Sequence, residues 1–173
     1  MPITLVIISG VSGSGKSSLS NKLGHVLSIP VFSIDLLKAF FIRTGLAENG
    51  WDTVRAKGYQ LLGDLAENQL KLNQSVIVDG VFAREEFRTR LLGIAKTYNA
   101  KLKIIECICS DQETHKQRVL DRNRNIEGLP EIEWIHVMKV KDTFINWDGE
   151  HLTLDALHSI DENYLLAAKY IAS

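Results

Sequence analysis

A chain of 173 residues with 45% hydrophobic side chains is long enough for one sizeable core. Its 20 Lys+Arg against 21 Asp+Glu leave a net charge of −1, which excludes a global basic field for nucleic acid but leaves room for a local basic groove. No apolar run approaches the roughly 18 residues of a membrane span, and the apolar N-terminal run lacks the basic flank of a signal peptide. The expectation is a single domain, 1–173, in the cytoplasm. Cys107 and Cys109 are two apart in an apolar run and poorly placed to bridge each other, so both read as buried fillers in a reducing compartment.

The run Ile3 to Ser9 reads as a strand buried on both faces, and Lys16 to Leu27 as a helix with Leu19, Leu23, Val26 and Leu27 inward. Between them stands Gly10-Val11-Ser12-Gly13-Ser14-Gly15-Lys16-Ser17, the GxxxxGK[ST] string in its strand–turn–helix context. Glycines let successive N–H groups turn inward around an anion, and the helix adds unpaired N–H groups and its dipole. Gly10, Ser12, Gly13, Ser14, Gly15, Lys16, Ser17 and Ser18 are therefore the candidate nucleotide-binding residues. Lys16 would reach the β- and γ-phosphates and Ser17 would hold Mg²⁺. A nucleoside triphosphate is the implied ligand.

Pro30 to Ile34 reads as a short second strand with Asp35 directly after it, on the sheet edge where ligands of parallel sheets gather. Asp35 is a candidate catalytic group and also a candidate N-cap for a helix over Leu36 to Arg43. Thr44 to Asp52 reads as a loop whose Trp51 either lines a substrate pocket or packs the loop down, and a helix follows over Thr53 to Asn73. A third strand, Ser75 to Gly80, carries Asp79, an acid suited to Mg²⁺ or its waters. Arg84 stands a few residues on, either reaching an acceptor or solvated in the first turn of a helix over Arg84 to Tyr98.

Leu102 to Ile108 reads as the fourth strand, and a capping box of Ser110 with Glu113 opens a fifth helix continuing to Arg124. That helix would put Arg118 and Arg122 on one face, a cation cluster able to neutralise a transferring phosphoryl group. The segment at about 122–149, with a short helix near Glu131 to Phe144, reads as a mobile cover that keeps water from the triphosphate. His151 to Asp155 and a helix over Ser159 to Ala172 close the chain. The five histidines are scattered, none at metal-ligand spacing.

Five strands alternating with helices predict an α/β fold with a doubly wound parallel sheet. The order of GVSGSGKS, SIDLLKA at Ser33 to Ala39, VIVDGVFARE at Val76 to Glu85, QRVLDRNR at Gln117 to Arg124 and LTLDAL at Leu152 to Leu157 resembles the small P-loop kinases. These comprise AAA_33 and zeta-toxin-like kinases, chloramphenicol 3-O-phosphotransferase, gluconate kinase and the kinase domain of polynucleotide kinase. The resemblance implies sheet order 2-3-1-4-5, ATP with Mg²⁺, and an acceptor hydroxyl oriented or deprotonated by Asp35. It further implies that Arg118 and Arg122 hold adenine and phosphates, and that Arg124 is a lid arginine. Relatives acting on polynucleotide ends carry DxxR after the second strand, whereas Lys38 stands here and cannot make the forked phosphate contact.

The expected activity is thus an ATP-dependent kinase acting on a small-molecule hydroxyl, of the chloramphenicol-phosphotransferase type, with Lys16, Asp35 and Arg122 catalytic. Asp35, Lys38, Trp51 and Arg84 would bind the acceptor, and neither membrane nor nucleic acid is an expected partner. A nucleic-acid-end or nucleotide kinase and a non-transferring nucleotide switch are the alternatives. The DxxG and NKxD strings of a GTPase switch occur nowhere in the chain.

Overall fold

The computed structural model describes residues 2–47 and 50–173. Five strands, β1 (Thr4–Ser9), β2 (Val31–Ser33), β3 (Val76–Asp79), β4 (Lys101–Ile108) and β5 (Leu152–Asp155), form one sheet in the order β2-β3-β1-β4-β5. Every pairing is parallel, and the registers Leu5↔Val76, Ile7↔Ile104 and Val31↔Ile77 bring the C-terminal strand ends to one edge. This is the doubly wound α/β sheet that the strand–helix alternation predicts.

Alternation along the strands builds two cores, because successive side chains leave a strand on opposite faces. Leu5, Ile7, Val76, Val78 and Ile104 face one layer, packed by Ile34 of α2 (Ile34–Arg43), Leu62 of α3 (Trp51–Lys71) and Leu91 of α4 (Glu85–Thr97). Val6, Ile8, Ile77, Ile105 and Cys107 face the other, packed by Leu19 and Leu23 of α1 (Lys16–Leu27) and Ala167 of α7 (Ile160–Ala172). Truncating any of these fully buried aliphatics to alanine would cost about 2–5 kcal/mol. Both cysteines are free and buried. None of the described helices is long and apolar enough to cross a membrane.

The remaining helices are α5 (Gln112–Leu120) and α6 (Trp134–Asp142). They share a small apolar cluster with the phosphate loop itself, Val11, Val119 and Val137, flanked by Trp134 and Phe144. The segment after α6 returns to the main core, where Trp147 is buried.

Several local expectations are corrected. The α5 N-cap is Asp111, whose carboxylate accepts from the Thr114 N–H at 2.7 Å. Ser110 lies one residue further out, its N–H donating at 3.3 Å to Asp155 at the end of β5, and the capping box occurs instead at Ser159 and Glu162 of α7. Helix α5 also ends at Leu120, so Arg122 does not share a helical face with Arg118, and Arg124 lies beyond the helix. Asp35 is not an N-cap. Ser33 fills that position, its hydroxyl accepting from the Asp35 N–H at 3.3 Å. Trp51 opens α3 rather than sitting in a loop, and Glu48 and Asn49 of the expected loop lie outside the described residues.

Candidate active site

The phosphate loop is fixed from below before any ligand arrives. Gly10 adopts φ +144°, and a Cβ there would stand 2.2 Å from the Cys107 carbonyl oxygen, so only glycine lets the loop leave β1 this close to β4. The Ser9 hydroxyl and the Gly10 N–H both donate to the Val81 carbonyl, at 3.0 and 3.5 Å, joining the loop to the exit of β3. Ser12, Ser14 and Lys16 are buried, and Lys16 Nζ rests 3.4 Å from the Val11 carbonyl across the loop's mouth. Gly15 caps α1, so the free N–H groups of the first turn, including those of Ser17 and Ser18, open toward the loop.

Asp79 ends β3 beside this turn and is buried, with Oδ1 unpartnered. Burial raises its carboxyl above the ordinary value, while Lys16 and a hydrogen bond with Ser17 pull the other way. An orphaned carboxylate oxygen next to the Ser17 side chain suits a hard, oxygen-seeking cation. Among the described residues no three His, Cys, Asp or Glu side chains form a metal cage. Mg²⁺ keeps waters and phosphate oxygens as most of its ligands, and Ser17 and Asp79 are the side-chain oxygens the chain would offer it here.

Asp35 sits at the first turn of α2, beyond the C-terminal end of β2. Lys38 Nζ lies 3.6 Å from its Oδ1 and Arg124 Nη1 3.3 Å from its Oδ2. Burial raises the Asp35 carboxyl, but the charges of Lys38, Lys16, Arg124 and Arg122 outweigh it and hold the group below the usual carboxylate range. Burial likewise lowers Lys38, against the pull of Asp35.

The arginines divide between two places. Arg118 donates to the Ala156 carbonyl at 2.7 Å and borders a cavity of about 240 Å³ with Ser14, Gly15, Ser18 and His158. Arg122 and Arg124 approach the acidic pair instead. Arg122 lies near enough to Asp35 and Asp79 for both to bear on its charge, and its Nη1 is buried without a partner. Arg124 Nε and backbone N–H each take an oxygen of Glu131 at 2.9 Å, and its Nη2 bonds to the Pro130 carbonyl. The structure thus brings Lys16, Asp35, Lys38, Asp79, Arg122 and Arg124 together. Of the other two candidates, Trp51 is exposed, and Arg84 is exposed and paired with Glu86 at 3.5 Å. Neither is joined to the Asp35 group by a hydrogen bond, ion pair or ring contact.

Three supporting residues escape sequence reasoning. The Tyr59 hydroxyl accepts from the Phe82 N–H at 3.1 Å and its ring stacks on Phe87 at 4.0 Å, with Lys38 Nζ 6.0 Å from the ring centroid. Arg88 is buried and donates to the carbonyls of Phe82 at 2.7 Å, Asn146 at 2.9 Å and Ile145. Its guanidinium also lies 3.9 Å over the Trp147 ring, so it fastens the chain after α6 to the body of the domain. His115 lies under the phosphate loop. A tyrosine, arginine or histidine on a helix gives no sequence signal of which strand end it will reach.

This sheet order with its glycine loop and strand-end acid defines a kinase-like P-loop NTPase fold. The chain belongs to the AAA_33 family of AAA domains, whose model matches residues 5–144. It is similar to a protein from Chloroflexus aurantiacus J-10-fl assigned as a kinase, with TM-score 0.77, 21% identity and coverage of 98% of this chain and 99% of that one. It is also similar to a gluconokinase from Sinorhizobium meliloti 1021, with TM-score 0.72, 19% identity and coverage of 99% and 92%. A third is the Mycobacterium tuberculosis APS kinase in complex with AMPPNP and APS, with TM-score 0.68, 19% identity and coverage of 99% of both chains.

Proposed function

We propose that the protein is an ATP-dependent kinase that transfers the γ-phosphate to a hydroxyl of a small molecule. The observation that carries this reading is the ionised Asp35 carboxylate, held between Lys38 and Arg124 and within reach of the Lys16 charge. A nucleotide-binding switch has no use for a carboxylate on the acceptor side. The gluconokinase and APS kinase folds support the same class of reaction.

In this reading the triphosphate lies in the loop from Gly10 to Ser17, with Lys16 on the β- and γ-phosphates and the base toward Arg118. Mg²⁺, held by Ser17 and by Asp79 or its waters, would neutralise charge on the phosphate oxygens. Asp35 orients the acceptor hydroxyl and takes its proton as the oxygen bonds to the γ-phosphorus and ADP leaves. Arg122 and Arg124 meet the charge on the moving group. Trp51 and Arg84, both exposed, would contribute contacts to the acceptor. Lys38 is engaged by Asp35, which favours a small alcohol of the chloramphenicol-phosphotransferase type over a phosphodiester end. Two free cysteines suit a reducing cytoplasm.

The deciding experiment incubates the protein with γ-labelled ATP and a pooled metabolite extract, alongside Asp35→Asn. A new labelled product made only by the wild type is the expected result. Release of inorganic phosphate alone across broad pools, or undiminished transfer by Asp35→Asn, would overturn the reading.

A further inference from the structure

His115 on α5 is completely buried, and its Nε2 lies 2.8 Å from the carbonyl oxygen of Ser12 in the phosphate loop. A carbonyl only accepts, so Nε2 carries the proton and Nδ1 is the bare nitrogen. Nδ1 is buried with no partner. An apolar side chain would fill this space without that orphan, so the imidazole is distinguished by the bond it gives to Ser12. In a trans peptide unit the C=O and the following N–H point in opposite directions. Drawing the Ser12 carbonyl down toward α5 therefore aims the Gly13 N–H up, into the concave side of the loop. Gly13 itself is seated on the same ring: at φ +88°, a Cβ there would stand 2.6 Å from Val119 Cγ2 and 2.9 Å from His115 Cδ2.

The other neighbour of the ring is Trp134, the first residue of α6, which meets it edge-on at 5.1 Å and 83°. One imidazole therefore touches both the phosphate loop and the helix of the 122–149 segment. We propose that His115 is a positioning residue for the phosphate loop, holding the Ser12 carbonyl so that the Gly13 N–H faces the phosphates, with Trp134 passing the seating of α6 to that bond. The inference deepens the nucleotide-binding part of the proposed function and rests on it. Burial and the cations facing the ring, Lys141 from α6, Arg118 from its own helix and Lys16 from the loop's end, hold it below the usual histidine range, while the bond to Ser12 pulls the other way.

The test uses ¹⁵N-labelled wild type, His115→Gln and His115→Met, first without nucleotide. Glutamine offers an N–H near the place of Nε2 and does not titrate, whereas methionine fills the space and donates nothing. On acidification of the wild type the Gly13 amide resonance should follow the His115 ring nitrogens along one curve. In His115→Gln it should be pH-independent, and in His115→Met displaced at every pH. With Mg·AMPPNP, His115→Met should bind about 10-fold more weakly, the loss of one loop-orienting hydrogen bond, and His115→Gln should stay within about 3-fold of wild type. A Gly13 amide indifferent both to the histidine's titration and to the substitutions overturns the proposal, whatever the nucleotide does. Should His115→Met not fold, the wild-type and His115→Gln titrations decide alone. Failure of the wild type to bind any nucleotide counts against the kinase reading instead, and the nucleotide-free amide data still judge His115.

Discussion

Arg124 reaches Asp35 at 3.3 Å while Glu131 holds the same arginine through its Nε and its backbone N–H, each at 2.9 Å. The segment that follows α5 is thereby latched onto the candidate acceptor base by an almost fully buried guanidinium. A latch of this kind sets the charge state of the base as well as its position.

The first prediction is a pH profile. Burial alone would raise Asp35, and the cations around it reverse that, so the acid limb of kcat/KM assigned to this group should lie below the ordinary carboxylate value of 3.8. Arg124→Ala or Lys38→Met removes a favourable charge and leaves the burial. The limb should then move to higher pH. Stability follows the same sign: a depressed folded-state pKa contributes stability that is full above the unfolded value of 3.8 and is lost as pH falls through the folded one. A pH–rate series on the three proteins checks this, and a limb that stays put or moves down in the variants contradicts it.

Donor and acceptor roles should separate in mutants. Lys16→Ala should abolish measurable nucleotide binding by calorimetry, because the buried ammonium spans the loop's mouth. Asp35→Asn keeps the shape and loses the proton acceptor. It should cut transfer by roughly 10²–10⁴-fold while nucleotide affinity stays within about 3-fold.

Much of this site was legible because phosphate loops are local. The glycine string, the strand before it and the helix after it are contiguous, and the acids at the ends of β2 and β3 stand where hydrophobic runs stop. The sheet order came with the family resemblance. What the sequence hid depends on long-range meetings. Asp35 and Arg124 are 89 positions apart, and the helix expected to continue to Arg124 stops at Leu120; the hold of Glu131 on that arginine has no periodic signature. Arg88, to which the sequence assigns no role, is buried against carbonyls 57 and 58 positions away.

Arg88 yields a stability prediction independent of catalysis. Arg88→Ala would strip three carbonyl oxygens of their donor and leave a hole beneath Trp147. The cost should be about 3 kcal/mol, lowering the melting temperature by roughly 6–12 °C for a domain of this size. Arg88→Lys should recover only part of it, since a point donor cannot serve three acceptors held in a fork. Thermal unfolding of the two variants is the measurement, and equal melting temperatures would remove Arg88 from this role.

Asp79 should reveal a conflict between stability and function. Its carboxyl is buried, raised in pKa, and has an unpartnered oxygen. A raised folded-state pKa contributes stability that is full below the unfolded value of 3.8 and is lost as pH rises through the folded one. At neutral pH the buried carboxyl is therefore a strain on the nucleotide-free fold. Asp79→Asn removes the titrating carboxyl at constant size, so the nucleotide-free variant should be more stable by about 1–2 kcal/mol. The same variant should need about 10-fold more Mg²⁺ to bind ATP, because an amide attracts the cation or its waters far less than a carboxylate does. Melting without ligand and a Mg²⁺ titration of ATP binding measure the two effects separately. A variant that melts lower would contradict the strain, and one whose Mg²⁺ requirement is unchanged would remove Asp79 from the cation's site.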